Sequence, residues 1–300
     1  MDIRGAGPKE SVPIVYKGGA LQAGVIKIDG SVSSQFISAL LIAAVRLKAD
    51  SRIVITGKEM VSGDYITMTR QILARAGIKI SASGPRTLLA KGRQTFKGLK
   101  RFHVPSDYGL AAFPLAAALL LPSKVTLKGN LDKNFVQSDG HIIGFLKKMG
   151  GRFRQTAKAI TVEGPSLLKG GVFNLKDCPD LLPIMAVLAL FAKGRTKVTG
   201  IGHARVKESD RISGLRRELL KVGAGVSETK DTLTIDPLPS YRTRTGQTLD
   251  PHHDHRLAMA FTVLGLKIGC KVKDIQSCVK SYPAFVRDMK TLGAPLRKIG

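Results

Sequence analysis

Five charged residues, Arg205, Lys207, Glu208, Asp210 and Arg211, fall within seven positions of the segment GIGHARVKESDRISG, just before an apolar-periodic run. Lys207 and Arg211 are four apart and are expected on one face of the first helical turns. Cations at a helix start oppose its macrodipole, which leaves two explanations. Either Glu208 and Asp210 neutralise them locally, or the cations hold an anion beside an acid. DCPDLLPIMAVLALFAKG sets Asp180 at the mouth of a strongly apolar helix. Partial desolvation there would raise a carboxyl pKa into the range of a general base. An N-cap with Pro183 in the first turn is the structural alternative. In DGSVSSQFISALLIAA, Ser33 and Ser34 precede another apolar helix, where hydroxyls and unpaired amides suit a phosphate or simply cap the helix.

DPHHDHRLAMAF puts Arg256 at a further helix start, and Lys280 precedes Tyr282 and Pro283 in a turn. His252, His253, Asp254 and His255 invite a metal reading, but four neighbours cannot all turn to one ion. No HExxH or cysteine pair supports it, so no metal is expected. Helix starts that bring Ser, Lys and Arg together suit a doubly anionic phosphate, with Asp and Glu as acid and base.

Positioning these groups falls to a repeat. Four segments end alike, ILARAGIKI, FLKKMGGRF, LLKVGAGVS and DMKTLGAPL, with Gly77, Gly150, Gly223 and Gly293 lying 73, 73 and 70 residues apart. Each glycine follows a helical pattern, the position of a left-handed cap. β-branched runs closing on Gly57, Gly129 and Gly200 mark strands upstream. Each unit therefore reads as short strand, buried helix, strand, amphipathic helix and hairpin, a duplicated α/β unit too long for a solenoid repeat. The central helices are apolar nearly all round and must pack together in the interior. A domain boundary is expected in KGRQTFKGLKRFHVP, near residue 103.

The 300 residues suffice for about two domains. Their apolar runs, Leu110 to Leu121 and Leu181 to Ala192, are twelve residues each, short of the roughly 18 that a membrane span needs. The first residues show no export or import signal, so the cytoplasm is expected. Cys178, Cys270 and Cys278 are too few for a disulfide framework or a cysteine zinc site and read as buried thiols. A net charge of +26, from 48 basic and 22 acidic residues, favours anionic partners without choosing among them. With no Trp and five Tyr, a stacking platform for single-stranded nucleic acid is not supported.

In this order and at these separations, DGSVSSQF, RVKESDRI, DHRLAMAF and KSYPAF closely resemble the 5-enolpyruvylshikimate-3-phosphate synthase family, over about Val25 to Gly293. The related UDP-N-acetylglucosamine enolpyruvyl transferases fit less well. This resemblance implies transfer of the enolpyruvyl group from phosphoenolpyruvate to the 5-hydroxyl of shikimate 3-phosphate, with release of phosphate and no metal or organic cofactor. It implies an α/β fold of repeated βαβαββ units in two domains, an inside-out α/β barrel, with about four of six units present. Residues 1–103 would form a partial upper domain of about one complete unit, and 104–300 a lower domain of three.

Carried over by motif, Ser33, Ser34 and Gln35 resemble contacts to shikimate 3-phosphate, joined by Ser62 and Tyr65 of VSGDY and by Asp180, His203 and Lys207. Asp180 matches the general base and Glu208 its proton-transfer partner. Gln35, Arg211, Arg256 and Lys280 match the clamp around phosphoenolpyruvate, for which a planar guanidinium fork is well suited. The implied partners are these two small molecules; neither nucleic acid nor membrane is expected, and nothing in the sequence sets an oligomeric state. His203 stands where the family usually has Asn, which would add pH sensitivity. The family's Gly-Ser-Lys-Ser and Gly-Thr motifs have no counterpart here. Two competitors are a non-catalytic relative that binds only shikimate 3-phosphate, and a nucleic-acid protein like the RNA 3'-terminal phosphate cyclases, which lack the KESDR and DGSVSSQF combination.

Overall fold

A computed structural model describes residues 2–8, 11–132, 134–237 and 246–299. The chain divides into two compact units, Met1–Met60 with Thr69–Lys100, and Val61–Met68 with Arg101–Gly300. Val61–Met68 lies inside the expected 1–103 and groups with the second unit.

The first unit opens with an antiparallel hairpin, β1 (Asp2–Gly5) and β2 (Ile14–Gly18). Then follow β3 (Gly24–Asp29), α1 (Ser34–Ala44), β4 (Ser51–Thr56), α2 (Gly63–Arg75), of which the part to Met68 groups with the second unit, β5 (Ile80–Ala82) and β6 (Thr87–Ala90). Strand order is β3-β4-β6-β5, with β3 parallel to β4 and the other pairs antiparallel. In β4 the period-2 pattern buries Ser51, Ile53 and Ile55 on one face, as alternation in a half-buried strand requires.

The second unit repeats this order. It runs α3 (Tyr108–Leu120), β7 (Ser123–Lys128), α4 (His141–Lys148), β8 (Phe153–Gln155) and β9 (Ala159–Gly164), giving the sheet β7-β9-β8 without a leading strand. Next come β10 (Val172–Asn174), α5 (Leu182–Leu190), β11 (Thr196–Thr199), α6 (Arg211–Lys221), β12 (Gly225–Glu228) and β13 (Thr232–Asp236), in the order β10-β11-β13-β12. The last repeat holds β14 (Thr248–Leu249), α7 (His255–Ile268), β15 (Lys271–Val272) and α8 (Phe285–Thr291). Gly77, Gly150, Gly223 and Gly293 end α2, α4, α6 and α8 with φ of 86°, 84°, 85° and 92°, the left-handed caps their spacing predicts.

The two apolar runs form α3 and α5, and with α7 they pack on one another as the core of the second unit. Every residue of α5 is buried, because a helix apolar on all sides is stable only when surrounded. Cys178 and Cys278 are buried, whereas Cys270 is half-buried rather than enclosed. Among the described residues no helix is long and apolar enough to cross a membrane.

Helix α1 of the first unit lacks such surroundings: Phe36 and Ile42 are 52% and 51% exposed. Fewer buried apolar contacts lower local stability. Hydrogen exchange is therefore expected to be faster in α1 and β4 than in α5 and α7, and equal protection would contradict this.

Candidate active site

Each repeat begins its first helix with one polar residue. Ser33, Asp107, Asp180 and Asp254 lie 74, 73 and 74 residues apart. Ser33 caps α1 by accepting from the Gln35 amide, Asp107 caps α3 from Leu110, and Asp254 caps α7 from Arg256. Asp180 departs from the pattern. It sits in a 3-10 turn, Pro179–Leu181, and Leu181 takes the cap position of α5. The N-cap alternative is not formed, and the carboxylate faces side chains instead.

Those side chains come from the next two repeats. Arg211, with its side chain 1% exposed, donates from Nη1 to Asp180 Oδ1 at 2.6 Å, from Nη2 to Glu208 Oε2 at 2.7 Å, and from Nε to Asp254 Oδ2 at 2.7 Å. Arg256 donates from Nη2 to the other Asp180 oxygen at 3.3 Å and lies 3.7 Å from Asp139 Oδ2. Ser209 Oγ donates to Asp254 Oδ2 at 3.2 Å. Two arginines thus bind four carboxylates around Asp180, and buried charges need this kind of pairing.

Lys207 and Arg211 do not share a helical face. Lys207 is extended at the end of a 3-10 turn, Gly202–Val206, and α6 begins only at Arg211, capped by Asp210 through the amides of Ile212 and Ser213. The carboxylates are also divided differently: Glu208 pairs with Arg211, whereas Asp210 takes Arg205 at 2.8 Å. Local neutralisation accounts for Arg205 and Asp210; Arg211 is drawn inward to a shared centre.

Electrostatics reverse the expected shift at Asp180. Burial works to raise its pKa, but Arg256, Arg211 and Lys207 outweigh it and hold the carboxyl well below the usual range. The raised carboxyl is Asp139, which burial pushes up to about 7 against the pull of Arg256. Burial likewise holds the His255 imidazole below its ordinary value, despite Asp254 and Glu208 nearby.

Asp139, absent from the residues that the sequence singles out, occupies a short turn, Ser138–Gly140, ahead of α4. A Ser-Asp signal does mark it: QSDGHI and ESDRIS run into α4 and α6, with Ser138 and Ser209 71 residues apart. The bare α-carbon of Gly109 makes room for it, since a Cβ there would collide with Asp139 Oδ2 and stand 2.8 Å from Arg256 Nη1. Asp254, one of the four neighbours at which no metal site is expected from the sequence, is a partner of Arg211, and its period from Asp180 is the signal for that role. The neighbouring histidines diverge: His253 pairs with Asp274 at 2.9 Å, His252 lies 3.4 Å from Glu218, and His255 3.9 Å from Glu208.

Of the remaining expected residues, Tyr65 lies in the field of Asp139, Asp180 and Arg256, and burial first, then both carboxylates, raises its phenol pKa strongly. Ser62 is buried in left-handed backbone at φ 55°, its amide donating to Lys176 O at 3.1 Å. His203 is buried in the turn Gly202–Val206, which packs on the turn carrying Asp180. Lys280 is exposed and donates to His253 O at 3.0 Å. Ser33, Ser34 and Gln35 stand at the start of α1 in the first unit, with Ser34 buried and Gln35 exposed.

The sequence profile of the EPSP synthase (3-phosphoshikimate 1-carboxyvinyltransferase) family matches residues 1–289. The chain belongs to the EPSP synthase family. It is 38% identical over 295 residues to the 3-phosphoshikimate 1-carboxyvinyltransferase of Korarchaeum cryptofilum, covering 95% of this chain and 66% of that protein. It is 38% identical over 286 residues to that of Methanocaldococcus jannaschii, with 95% and 65% covered. The chain thus spans just under two thirds of these two relatives. The EPSP synthase structure from Acinetobacter baumannii is similar in fold, with a TM-score of 0.74 at 24% identity, covering 98% of this chain and 68% of that one. An enolpyruvyl transferase from Streptomyces tendae shares the fold at TM-score 0.71 and 18% identity. The repeated α/β architecture is therefore that of the EPSP synthase family, and the RNA cyclase alternative is not favoured.

Proposed function

We propose that the chain takes part in transfer of the enolpyruvyl group from phosphoenolpyruvate to the 5-hydroxyl of shikimate 3-phosphate, releasing phosphate, as a cytoplasmic enzyme of aromatic amino acid biosynthesis. The observation that carries this reading is the Asp180 centre, where an ionised carboxylate lies between Arg211 and Arg256 in a member of the EPSP synthase family. The reaction needs a proton delivered to the methylene carbon, a proton removed from the attacking hydroxyl, and cations for carboxylate and phosphate. In this reading the hydroxyl oxygen bonds to the central carbon and its proton passes to Asp180. Glu208 exchanges the proton of the methylene carbon. Loss of that proton and of phosphate from the tetrahedral adduct completes the exchange.

Clamped by two arginines, Asp180 is a weak base. An anion bound to Arg256 shares the positive field and raises the carboxyl toward a useful pKa. Arg256 can bind such an anion because its Nε and Nη1 are buried and, among the described residues, without a hydrogen-bond partner, so a carboxylate or phosphate supplies the missing acceptor. Ser62 fits a substrate contact, since a buried serine in backbone that glycine adopts more readily costs about 1–3 kcal/mol and its hydroxyl must be worth that strain. Ser33, Ser34, Gln35, Tyr65, His203 and Lys207 are assigned to shikimate 3-phosphate, and Lys280, with Gln35, Arg211 and Arg256, to phosphoenolpyruvate. Calorimetric titration with phosphoenolpyruvate in the presence of shikimate 3-phosphate tests this assignment. Arg256→Ala is expected to weaken phosphoenolpyruvate at least about ten-fold, the loss of a charge-assisted pair, and unchanged affinity would remove Arg256 from the clamp.

Asp139 gives the site a pH signature. Its carboxyl is raised from 3.8 to about 7 in the folded chain, so the folded state binds more protons than the unfolded one between those values and stability falls as pH rises through that window. Asp139→Asn is expected to abolish this decline. Parallel stability profiles of both proteins from pH 4 to 7, measured by urea unfolding, would contradict it.

A further inference from the structure

Glu218 is a fully buried carboxylate that the Asp180 centre does not use. It lies on α6, seven residues after Arg211 and so on the same face, about two turns along the helix. Arg211 holds Asp254. Glu218 holds the other end of the same short segment: its Oε2 accepts the Asp250 amide at 2.8 Å, and its Oε1 stands 3.4 Å from His252 Nε2. Lys221 donates to Oε2 at 2.6 Å, the partner that a buried charge needs. Gly214, between the two grips, lets the His252 ring lie against the helix, since a Cβ there would crowd its Cδ2 at 3.3 Å. Helix α6 thus grips both ends of residues 250–254, which lead from β14 into α7.

That segment is held in a costly form. His252 and His253 both occupy left-handed backbone, at φ 52° and 60°, where a Cβ is crowded and glycine is favoured. Such backbone persists only where surrounding contacts over-determine it. Besides Glu218, Asp250 Oδ1 accepts the His252 amide at 2.8 Å, His253 pairs with Asp274 at 2.9 Å, and Lys280 donates to His253 O at 3.0 Å. The two left-handed residues turn the chain so that Asp254 caps α7, accepting the Arg256 amide at 2.8 Å. From this start of α7 the Arg256 side chain reaches Asp180 and Asp139.

We propose that Glu218 is a positioning residue: through the Asp250 amide and the His252 ring it holds residues 250–254 in their left-handed form and so sets Arg256 to bind an anion. The inference rests on the proposed role of Arg256 in holding phosphoenolpyruvate. His253 is exposed, so water competes for its contacts to Asp274 and Lys280, whereas the Glu218 contacts are buried and water does not replace them. Lys280 is itself assigned to phosphoenolpyruvate, and in turning to that anion it releases His253 O. Glu218 is then the hold that remains from the interior.

Glu218→Met removes the acceptor and keeps the volume, whereas Glu218→Gln keeps an oxygen for the Asp250 amide. In calorimetric titration with shikimate 3-phosphate present, Glu218→Met is expected to weaken phosphoenolpyruvate at least about ten-fold, as loss of Arg256 does, and Glu218→Gln less than about three-fold. Both variants are expected to bind shikimate 3-phosphate alone as the unsubstituted chain does. In an Arg256→Ala background Glu218→Met is expected to cost nothing further, the mark of a residue that acts through Arg256. A purely structural role lowers the urea midpoint without this pattern. Unchanged phosphoenolpyruvate affinity in folded Glu218→Met, or an equal further loss in the Arg256→Ala background, would overturn the proposal. If Glu218→Met does not fold, His252→Gly is read in the same way: glycine is at ease in left-handed backbone, and the lost ring contact is expected to weaken phosphoenolpyruvate by about three-fold or more. A chain that binds no phosphoenolpyruvate would remove Arg256 from the clamp, and its position is then read from Asp139. In Glu218→Met the decline of stability with pH is expected to extend to higher pH than in Glu218→Gln, because Arg256 no longer draws the Asp139 carboxyl down. Identical profiles would overturn the positioning role.

Discussion

Arg211→Met lowers the unfolding free energy of the second unit by about 3–5 kcal/mol, the range for breaking a buried ion pair by removing one partner. The side chain is 1% exposed and holds three carboxylates at 2.6 to 2.7 Å. Asp254 is fully buried, and without Arg211 it keeps only the Ser209 hydroxyl and the Arg256 amide. Asp180 keeps Arg256, and Glu208 turns to solvent at little cost. Methionine fills the volume, so the loss reports uncompensated charge rather than a cavity. Arg205→Met is the comparison: its side chain is 23% exposed, pairs with Asp210 and Glu228 and donates to the Thr229 and Lys230 carbonyls, acceptors that can turn to water, so about 1–2 kcal/mol is at stake. Urea unfolding of both variants decides the matter, and equal midpoints would mean that the Arg211 centre does not stabilise the fold.

Asp180→Ala is expected to reduce turnover by at least about a hundred-fold, the lower bound for loss of a positioned acid or base, while largely sparing binding of shikimate 3-phosphate. In the resting site this carboxylate joins Arg211 to Arg256, so alanine also frees two arginines from a competing anion. Phosphoenolpyruvate affinity therefore holds or rises as turnover falls. That opposite movement separates a base from a residue that merely binds substrate, whose loss would weaken binding as well. An Asp180→Ala protein with near-normal rates would exclude Asp180 from proton transfer.

The repeat is legible in the sequence because its signals are local. Four glycines at left-handed caps, the two apolar runs that form α3 and α5, and the hairpins all follow from backbone preference and hydrophobic period, which neighbouring residues determine. At the site, residue types are legible but their partners are not. The near neighbours of Asp180 are apolar and point to a cap with a raised pKa; the arginines that lower it arrive from 31 and 76 positions away. A four-residue spacing puts Lys207 and Arg211 on one helix only if α6 begins before Lys207, whereas Asp210 caps it and leaves Lys207 extended. Asp139 carries no local sign of its burial, which Gly109 and Arg256 confer from distant positions in the chain.

The central claim is that a member of the EPSP synthase family with this Asp180 centre carries out enolpyruvyl transfer. The most direct measurement is phosphate release from phosphoenolpyruvate by the 300-residue chain, with and without shikimate 3-phosphate, and with Asp180→Ala alongside. Release that requires shikimate 3-phosphate and disappears in Asp180→Ala is the predicted result. No release by a folded chain that binds both substrates would contradict the claim, and would identify the chain as a substrate-binding relative without turnover.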